Sequence, residues 1–269
     1  MSALTKITDH VYWMAPGPPD RPSVCAVVGD RRTLMLDAGS SRAHTRAFLD
    51  ALVAATGTRP SAVVYTHSHW DHVLGGVEVG GIVIAHALTA ERLDELAERD
   101  WSDEGLERRV AAGLSSPQHV ADVKAEMPSP RTVEVASADI VFDDAIEIQL
   151  GGVTVEVQHI GGDHGADQSV MHVRPDAVLF MGDCFGASPE GAITAEAAFR
   201  LRDLILGSAA EQYVEGHHES ISSRSEIEAV FEKVQLAERI AREGLAIESP
   251  DEDTEYFVQA FRAGLSTAS

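Results

Sequence analysis

The stretch Thr66-His67-Ser68-His69-Trp70-Asp71-His72 places three histidines and one aspartate within six positions. It directly follows the apolar run Ala62-Val63-Val64-Tyr65, which predicts a β-strand. Imidazole nitrogens and carboxylate oxygens are the ligands that a divalent cation such as Zn²⁺ prefers. Because alternate side chains of an extended chain point the same way, the first two histidines are expected to face one ion. After a turn, the aspartate and the third histidine can reach a second ion.

Composition limits the class of protein. The chain has 269 residues, of which 44% are hydrophobic, and this predicts one domain over residues 1–269 with a sizeable core. We expect neither a membrane span, because no run approaches 18 apolar residues, nor a secretory signal in the first ten residues. Cys25 and Cys184 are the only cysteines and form no CxxC pair. These features predict a cytoplasmic protein without disulfides.

The net charge of the chain is −22, from 43 acidic and 21 basic residues. Proteins that bind nucleic acid neutralise phosphates with lysine and arginine, and an anionic membrane surface makes the same demand. We therefore expect neither nucleic acid nor a membrane as a partner. A small-molecule substrate fits the composition better, and a homo-oligomer is compatible with it.

Strands and helices alternate on both sides of the His-rich stretch, which predicts an α/β fold. Predicted strands cover residues 10–14, 24–28, 33–37, 62–65, 82–85, 140–142, 145–150, 153–159, 169–173 and 177–181. Predicted helices cover residues 43–55, 195–206, 225–245 and 256–261. Ligands of such sheets gather at the carboxyl ends of strands, and the His-rich stretch follows one of these ends.

Residues from about 88 to 130 form a charged, helix-compatible segment that Pro117, Pro128 and Pro130 interrupt. The segment has too few apolar residues for a core of its own, so we expect a helical insertion within the domain. An insertion between the strands that carry the ligands is placed to act as a lid over the site.

Three motifs later in the chain add further histidine and aspartate residues to the His-rich stretch. A histidine follows the turn Gly161-Gly162-Asp163, a strand ends at Gly182-Asp183, and a final Gly216-His217 lies near residue 220. With the H-x-H-x-D-H stretch, these motifs resemble the metallo-β-lactamase superfamily over nearly the whole chain. The strand end Leu34–Gly39 is similar to the Asp-Thr-Gly of that family, with Ala38 in place of threonine. The resemblance implies a four-layered αβ/βα sandwich with the metals at one edge between two sheets.

The resemblance also implies a site for two zinc ions, with iron or manganese as alternatives. The first ion would be bound by His67, His69 and His164, the second by Asp71, His72 and His217, and both by Asp183. The bridging aspartate is the feature of the glyoxalase II and lactonase branches. A hydroxide held between the metals would attack a carbonyl or phosphoryl centre. Asp71 and Asp183 are the predicted catalytic residues, and Asp71 would orient the attacking water or take its proton.

Several residues near these motifs have two interpretations. His217 is preferred to His218 because it directly follows a glycine, as in the family. Asp163 either orients the neighbouring histidine or forms a turn. Cys184 lies one position too late to be a ligand and is expected to be a buried thiol, and Trp70 is expected to pack beneath the loop. Asp37 is expected to brace the His-rich stretch by hydrogen bonds, as its counterpart does in the family.

The leading functional prediction is a dinuclear zinc hydrolase for a small ester, thioester, lactone or amide. The alternatives are a mononuclear iron dioxygenase of the persulfide type, a phosphodiesterase of the same fold and a protein that binds metal without catalysis. The chain shows no clear match to the tyrosine with which lactonases hold the substrate carbonyl. It also shows no evident Lys/Arg cluster for a glutathione carboxylate, so the sequence leaves the substrate open.

Overall fold

The structure, a computed structural model, describes residues 3–247 and 251–267. Within them, one sheet has seven strands in sequence order, antiparallel from β1 to β4 and parallel from β4 to β7. These strands are β1 (Leu4–Lys6), β2 (Val11–Met14), β3 (Val24–Val28), β4 (Thr33–Leu36), β5 (Ala62–Val64), β6 (Ile82–His86) and β7 (Ile140–Phe142). The predicted strands of this half are confirmed to within a residue or two.

The second sheet has the order β13-β12-β11-β10-β9-β8 in the described part of the chain, and its pairings are antiparallel except between β11 and β12. Its strands are β8 (Ala145–Gln149), β9 (Thr154–His159), β10 (Ser169–Arg174), β11 (Val178–Gly182), β12 (Gln212–Glu215) and β13 (Ser222–Ser223). The sequence analysis did not predict β12, although this strand delivers Gly216-His217. Its parallel pairing with β11 brings the carboxyl ends of both strands to one edge.

Helices cover the outer face of each sheet. They are α1 (Arg42–Thr56), α2 (Trp70–Val73), α3 (Gly76–Val79), α4 (Ala87–Glu98), α5 (Asp103–Ala111), α6 (Pro117–Glu126), α7 (Ala195–Gly207), α8 (Arg224–Glu243) and α9 (Glu252–Thr267). Helices α4, α5 and α6 lie between β6 and β7, in the segment where a helical insertion was predicted. The helix predicted at residues 256–261 is longer at both ends, and α2 and α3, of four residues each, were not predicted.

Three apolar clusters separate the layers. In β3, Val24 and Ala26 pack towards α1 and the helices beyond it, whereas Cys25 and Val27 pack between the sheets. The third cluster joins the outer face of the second sheet to α7, α8 and α9. Because both faces of the central strands are buried, these strands have continuous apolar sequences. The layers are therefore helices, sheet, sheet and helices, and the predicted αβ/βα sandwich is confirmed.

No helix within residues 3–247 and 251–267 is both long enough and apolar enough to cross a bilayer.

Candidate metal centre

The His-rich stretch is the connection between β5 and α2. The chain bends at Thr66 as it leaves the sheet, His69 is extended, and α2 then begins at Trp70. His67 and His72 are fully buried, and the Asp71 side chain is 7% exposed. Trp70 is 3% exposed and belongs to the apolar cluster beneath the loop, so its expected packing role is confirmed.

One group of four donors gathers His67, His69, His164 and Asp183. One ligand atom of each lies within 4.8 Å of the others. His67 Nε2 and His164 Nε2 are 3.3 Å apart, and Asp183 Oδ2 lies 3.5 Å from His164 Nε2 and 4.0 Å from His67 Nε2. The residues come from the ends of β5 and β11 and from the turn after β9, so both sheets contribute to the group.

A second group of four donors contains Asp71, His72 and His217 and shares Asp183 with the first. Asp183 Oδ2 lies 3.2 Å from His72 Nε2 and 3.4 Å from His217 Nε2. Asp71 Oδ2 lies 3.1 Å from His217 Nε2 and 3.4 Å from His72 Nε2. The seven residues singled out in the sequence therefore lie together as two clusters joined by one carboxylate.

These distances fit divalent cations. Two ligand atoms bound tetrahedrally at 2.0–2.1 Å from one ion lie about 3.3 Å apart, and the donor distances given above are 3.1 to 3.5 Å, apart from 4.0 Å between His67 and Asp183. The other oxygen of Asp183, Oδ1, is buried without a hydrogen-bond partner among the described residues. A Cβ at position 216 would overlap this oxygen, so Gly216 provides the space that the carboxylate needs. Both donor groups could therefore hold a divalent metal ion.

The electrostatics of the donors suit a cation as well. Burial lowers the pKa of His67 well below its ordinary value and that of His69 to about 4, so both imidazoles are neutral at pH 7. Neutral imidazole is the form that binds a metal. Burial raises the pKa of Asp183, but the charge of His72 and hydrogen bonding with His217 outweigh burial and hold this pKa well below the ordinary value.

Asp37, which follows β4, holds the His-rich stretch in place. Its Oδ1 accepts a hydrogen bond from Thr66 N at 2.6 Å, and its Oδ2 accepts from Thr66 Oγ1 and His72 Nδ1, both at 2.7 Å. The predicted bracing role is confirmed. Because Nδ1 of His72 donates to Asp37, Nε2 is free to face the donor group. Asp37 is fully buried and has a left-handed φ of 54°, a conformation uncommon for residues other than glycine.

Asp20 is a neighbour of the site that the sequence analysis missed. It lies in the Pro-rich loop at residues 16–22, and its Oδ1 is 3.5 Å from His217 Nδ1, the ring nitrogen that faces away from the donor group. A carboxylate in this position can orient the imidazole, as Asp37 does for His72. One acidic residue in a Pro-rich loop carries no pattern that could have identified it.

Other residues have structural positions outside both donor groups. Asp163 accepts hydrogen bonds from Thr194 N at 2.8 Å and from Thr194 Oγ1, so it braces the start of α7 and does not orient His164. His218 Nδ1 faces Ser220 O at 3.0 Å. His159 is partly exposed and stacks on His86 with ring centroids 3.7 Å apart. Cys184 packs against the apolar cluster beneath α7 and α8.

A cavity of about 600 Å³ opens above the two donor groups. Five of the seven donor residues line it, and we call the seven together the metal-ligand floor. The α4–α6 segment, residues 87–126, also lines the cavity and contributes a group of arginines that we call the arginine wall: Arg92, Arg99 and Arg109. The sequence analysis found no evident Lys/Arg cluster for a glutathione carboxylate, and the structure brings these three arginines to one cavity. Arg92 and Arg99 are seven positions apart, two helical turns, which is a signal that the sequence does carry.

Comparison with solved structures agrees with the fold. A metallo-β-lactamase from Pontibacter korlensis shares 19% identity and a TM-score of 0.60, over 86% of this chain and 98% of that one. The stereoselective inverting sec-alkylsulfatase Pisa1 from Pseudomonas sp. shares 15% identity and a TM-score of 0.67, over 96% of this chain and 47% of that one. At these identities the likeness shows the fold alone.

Comparison with sequences identifies the family. The alpha subunit of 2,4-dinitroanisole O-demethylase from Nocardioides sp. (strain JS1661) is 24% identical over 215 residues, which are 77% of this chain and 55% of that protein. The chain therefore spans about half the length of this curated relative. The family described as the metallo-beta-lactamase superfamily matches residues 18–229, which include both donor groups. The chain belongs to the metallo-β-lactamase superfamily.

Proposed function

We propose that this protein is a dinuclear zinc hydrolase for a small ester, thioester, lactone or amide. The observation that carries the proposal is the pair of four-donor groups that share Asp183 on the floor of one cavity. A structural zinc site is closed by four protein ligands and is seldom dinuclear, whereas shared carboxylates are a feature of two-metal hydrolases. A mononuclear iron dioxygenase would not require the second group of Asp71, His72 and His217.

Different residues of the site have different roles in hydrolysis. Zinc bound here would supply a hydroxide at neutral pH and would polarise the carbonyl oxygen of the substrate. His67, His69 and His164 would hold one ion and Asp71, His72 and His217 the other, with Asp183 available to both groups. We assign Asp71 as the residue that orients the attacking water or accepts its proton. Asp37 and Asp20 keep the rings of His72 and His217 in the orientation that this arrangement needs.

Metal analysis paired with a substrate panel tests the proposal. The purified protein should contain about two zinc ions per chain and should hydrolyse at least one class among ester, thioester, lactone and β-lactam substrates. Asp183→Asn should lose both properties. Asp163→Asn is the matched control, because Asp163 also follows a Gly-rich stretch but braces α7. One iron per chain with oxygen uptake, or no turnover by the zinc-loaded protein on any class, would overturn the proposal.

A second candidate function, cleavage of an activated aryl methyl ether, is favoured by the 24% identity with the O-demethylase subunit. The same hydroxide would add to the ring carbon that bears the methoxy group. The carbon–oxygen bond to methoxide then breaks, and the methoxide takes up a proton. Turnover of 2,4-dinitroanisole in ¹⁸O-labelled water tests this route. Label in the dinitrophenol supports attack at the ring, whereas label in the methanol, or no turnover, excludes it.

A further inference from the structure

The arginine wall lies in a chain with 43 acidic and 21 basic residues. Several arginines elsewhere are paired with carboxylates, for example Arg46 with Glu78 at 2.9 Å and Arg108 with Asp100 at 2.5 Å. Within the described residues, none of the three wall arginines forms an ion pair with a carboxylate. Three arginines without such a pair therefore line one cavity, in a protein that has acidic groups to spare.

Arg99 and Arg109 are the half-buried members of the wall. Arg99 is the C-cap residue of α4, and its guanidinium lies over the ring of Trp101, 5.0 Å from the centroid. Burial and the charge of Arg109 lower the pKa of Arg99 to about 10, so the group remains a cation at neutral pH. The negative charge of Glu95 acts in the opposite direction and raises the pKa of Arg99, and Glu95 also lines the cavity. The two like charges stay close together without a counter-ion of their own.

Hydrogen-bonding capacity is also unused on this wall. Nε of Arg109 is buried and has no hydrogen-bond partner in the described part of the chain, although its Nη2 donates to Leu114 O at 3.2 Å. A buried donor without an acceptor costs free energy, which an acceptor brought by a ligand would recover. Guanidinium groups bind carboxylate, sulfate and phosphate oxygens with two parallel hydrogen bonds.

We infer that the substrate carries an anionic group, a carboxylate, sulfate or phosphate, which Arg99 and Arg109 bind while the bond to be cleaved lies over the metal-ligand floor. This inference rests on the proposed hydrolase function, because it assigns the remainder of the substrate to the opposite side of the same cavity. Arg92 is exposed at the rim and attracts the anion towards the cavity. The substrate is thus a bifunctional molecule, anionic at one end and hydrolysable at the other.

Two esters with one leaving group test the inference: phenyl hydrogen adipate, which is an anion, and methyl phenyl adipate, which is neutral. The wild-type protein should favour the anion in kcat/KM by about 10- to 100-fold, the range for charge-assisted hydrogen bonds. Arg99→Gln and Arg109→Gln should remove this preference by raising KM for the anionic ester. Arg99→Lys should keep part of the preference for the anionic ester, because lysine keeps the positive charge. The remainder should be lost, because lysine lacks the planar guanidinium that forms two parallel hydrogen bonds.

Arg108→Gln is the matched control. Arg108 precedes Arg109 on α5 but is exposed, paired with Asp100 and outside the cavity above the floor. This variant should keep the wild-type preference for the anionic ester. An equal loss in Arg108→Gln would mean that general surface charge, and not the arginine wall, sets the preference, and would overturn the inference.

A binding experiment separates failure of the inference from failure of the proposed function. Metal-free protein, prepared by dialysis against a chelator, is titrated with adipate, sulfate and inorganic phosphate in a calorimeter. Binding that weakens at least tenfold in Arg99→Gln and Arg109→Gln but not in Arg108→Gln supports the anion site, even if no ester is hydrolysed. The order of the three affinities identifies the anion. A zinc-loaded protein that hydrolyses both esters equally and binds none of the anions keeps the proposed function and loses the inference.

Discussion

The metal-ligand floor and the arginine wall face each other across one cavity, but they are built in opposite ways. The floor consists of side chains at strand ends, and His67 and His72 are fully buried. The ring of His72 is oriented by a protein partner, because its Nδ1 donates a hydrogen bond to Asp37 Oδ2 at 2.7 Å. The wall consists of arginines on helices inserted between β6 and β7, and none of them has a protein counter-ion in the described residues.

This difference separates two requirements of a hydrolase. Reacting groups must be held within a fraction of an ångström, and buried groups at the ends of sheet strands satisfy this condition. Side chains that recognise the remainder of a substrate can lack a partner within the protein, because the bound ligand supplies that partner. The same floor can therefore serve many substrates if the helical segment above it changes. Variants of the floor should abolish activity, whereas variants of the wall should change selectivity.

The largest effect is expected for Asp183→Ala, which removes the carboxylate shared by both donor groups. We expect kcat/KM to fall by roughly 10³-fold or more, because several kcal/mol of charge stabilisation in the transition state are lost. Metal content, measured by mass spectrometry, should fall below one ion per chain. An Asp183→Ala protein that retains two ions and wild-type turnover would contradict the assignment of this residue as the bridge.

A smaller effect is expected for Asp37→Asn, which acts through Thr66 and His72 and not on the metals directly. An amide nitrogen would face a donor, so one of the hydrogen bonds at 2.6 to 2.7 Å is lost. Loss of such a partner lowers metal affinity by about 10- to 100-fold, which competition with a zinc chelator can measure. Asp139→Asn is the control, because Asp139 accepts from Val83 N at 2.8 Å near the start of β6, away from the floor. Equal loss of affinity in both variants would mean a general effect on stability.

The floor was more predictable from the sequence than the wall, and the reason is physical. His67 to His72 lie within one short stretch, so a strand end followed by one turn places their side chains near each other. The distant partners His164, Asp183 and His217 emerged from the resemblance to a family, because no local pattern links them. The hydrogen bonds of Asp37 were expected on the same basis.

The wall depends on how separate helices pack, which spacing along the chain does not determine. Arg99 ends α4 and Arg109 lies within α5, so the turn between these helices decides whether the two guanidinium groups meet. Asp20 and the stack of His86 on His159 are contacts of the same kind, between segments far apart in sequence. The helix α2 was missed because four residues are too few to show helical periodicity.

The smallest effect is expected where the wall is fastened to the body of the protein. Glu126, at the end of α6, has a side chain that is 1% exposed; it accepts from Arg21 Nε at 2.8 Å and from Ser41 Oγ. Arg21 adjoins Asp20, which faces His217, so this pair connects the α4–α6 segment with one edge of the floor.

Glu126→Gln should lower the free energy of unfolding by about 1–2 kcal/mol, because a charged hydrogen bond becomes a neutral one. Hydrogen exchange should rise in residues 117–126 and 16–22, with kcat reduced by less than about tenfold. Glu107→Gln is the control, because the pair of Glu107 with Lys124 at 2.9 Å joins α5 to α6 but is exposed, and exposed pairs contribute about 0–1 kcal/mol. If exchange rises equally in both variants, or only within α6, the Glu126–Arg21 pair does not connect the α4–α6 segment with this edge of the floor.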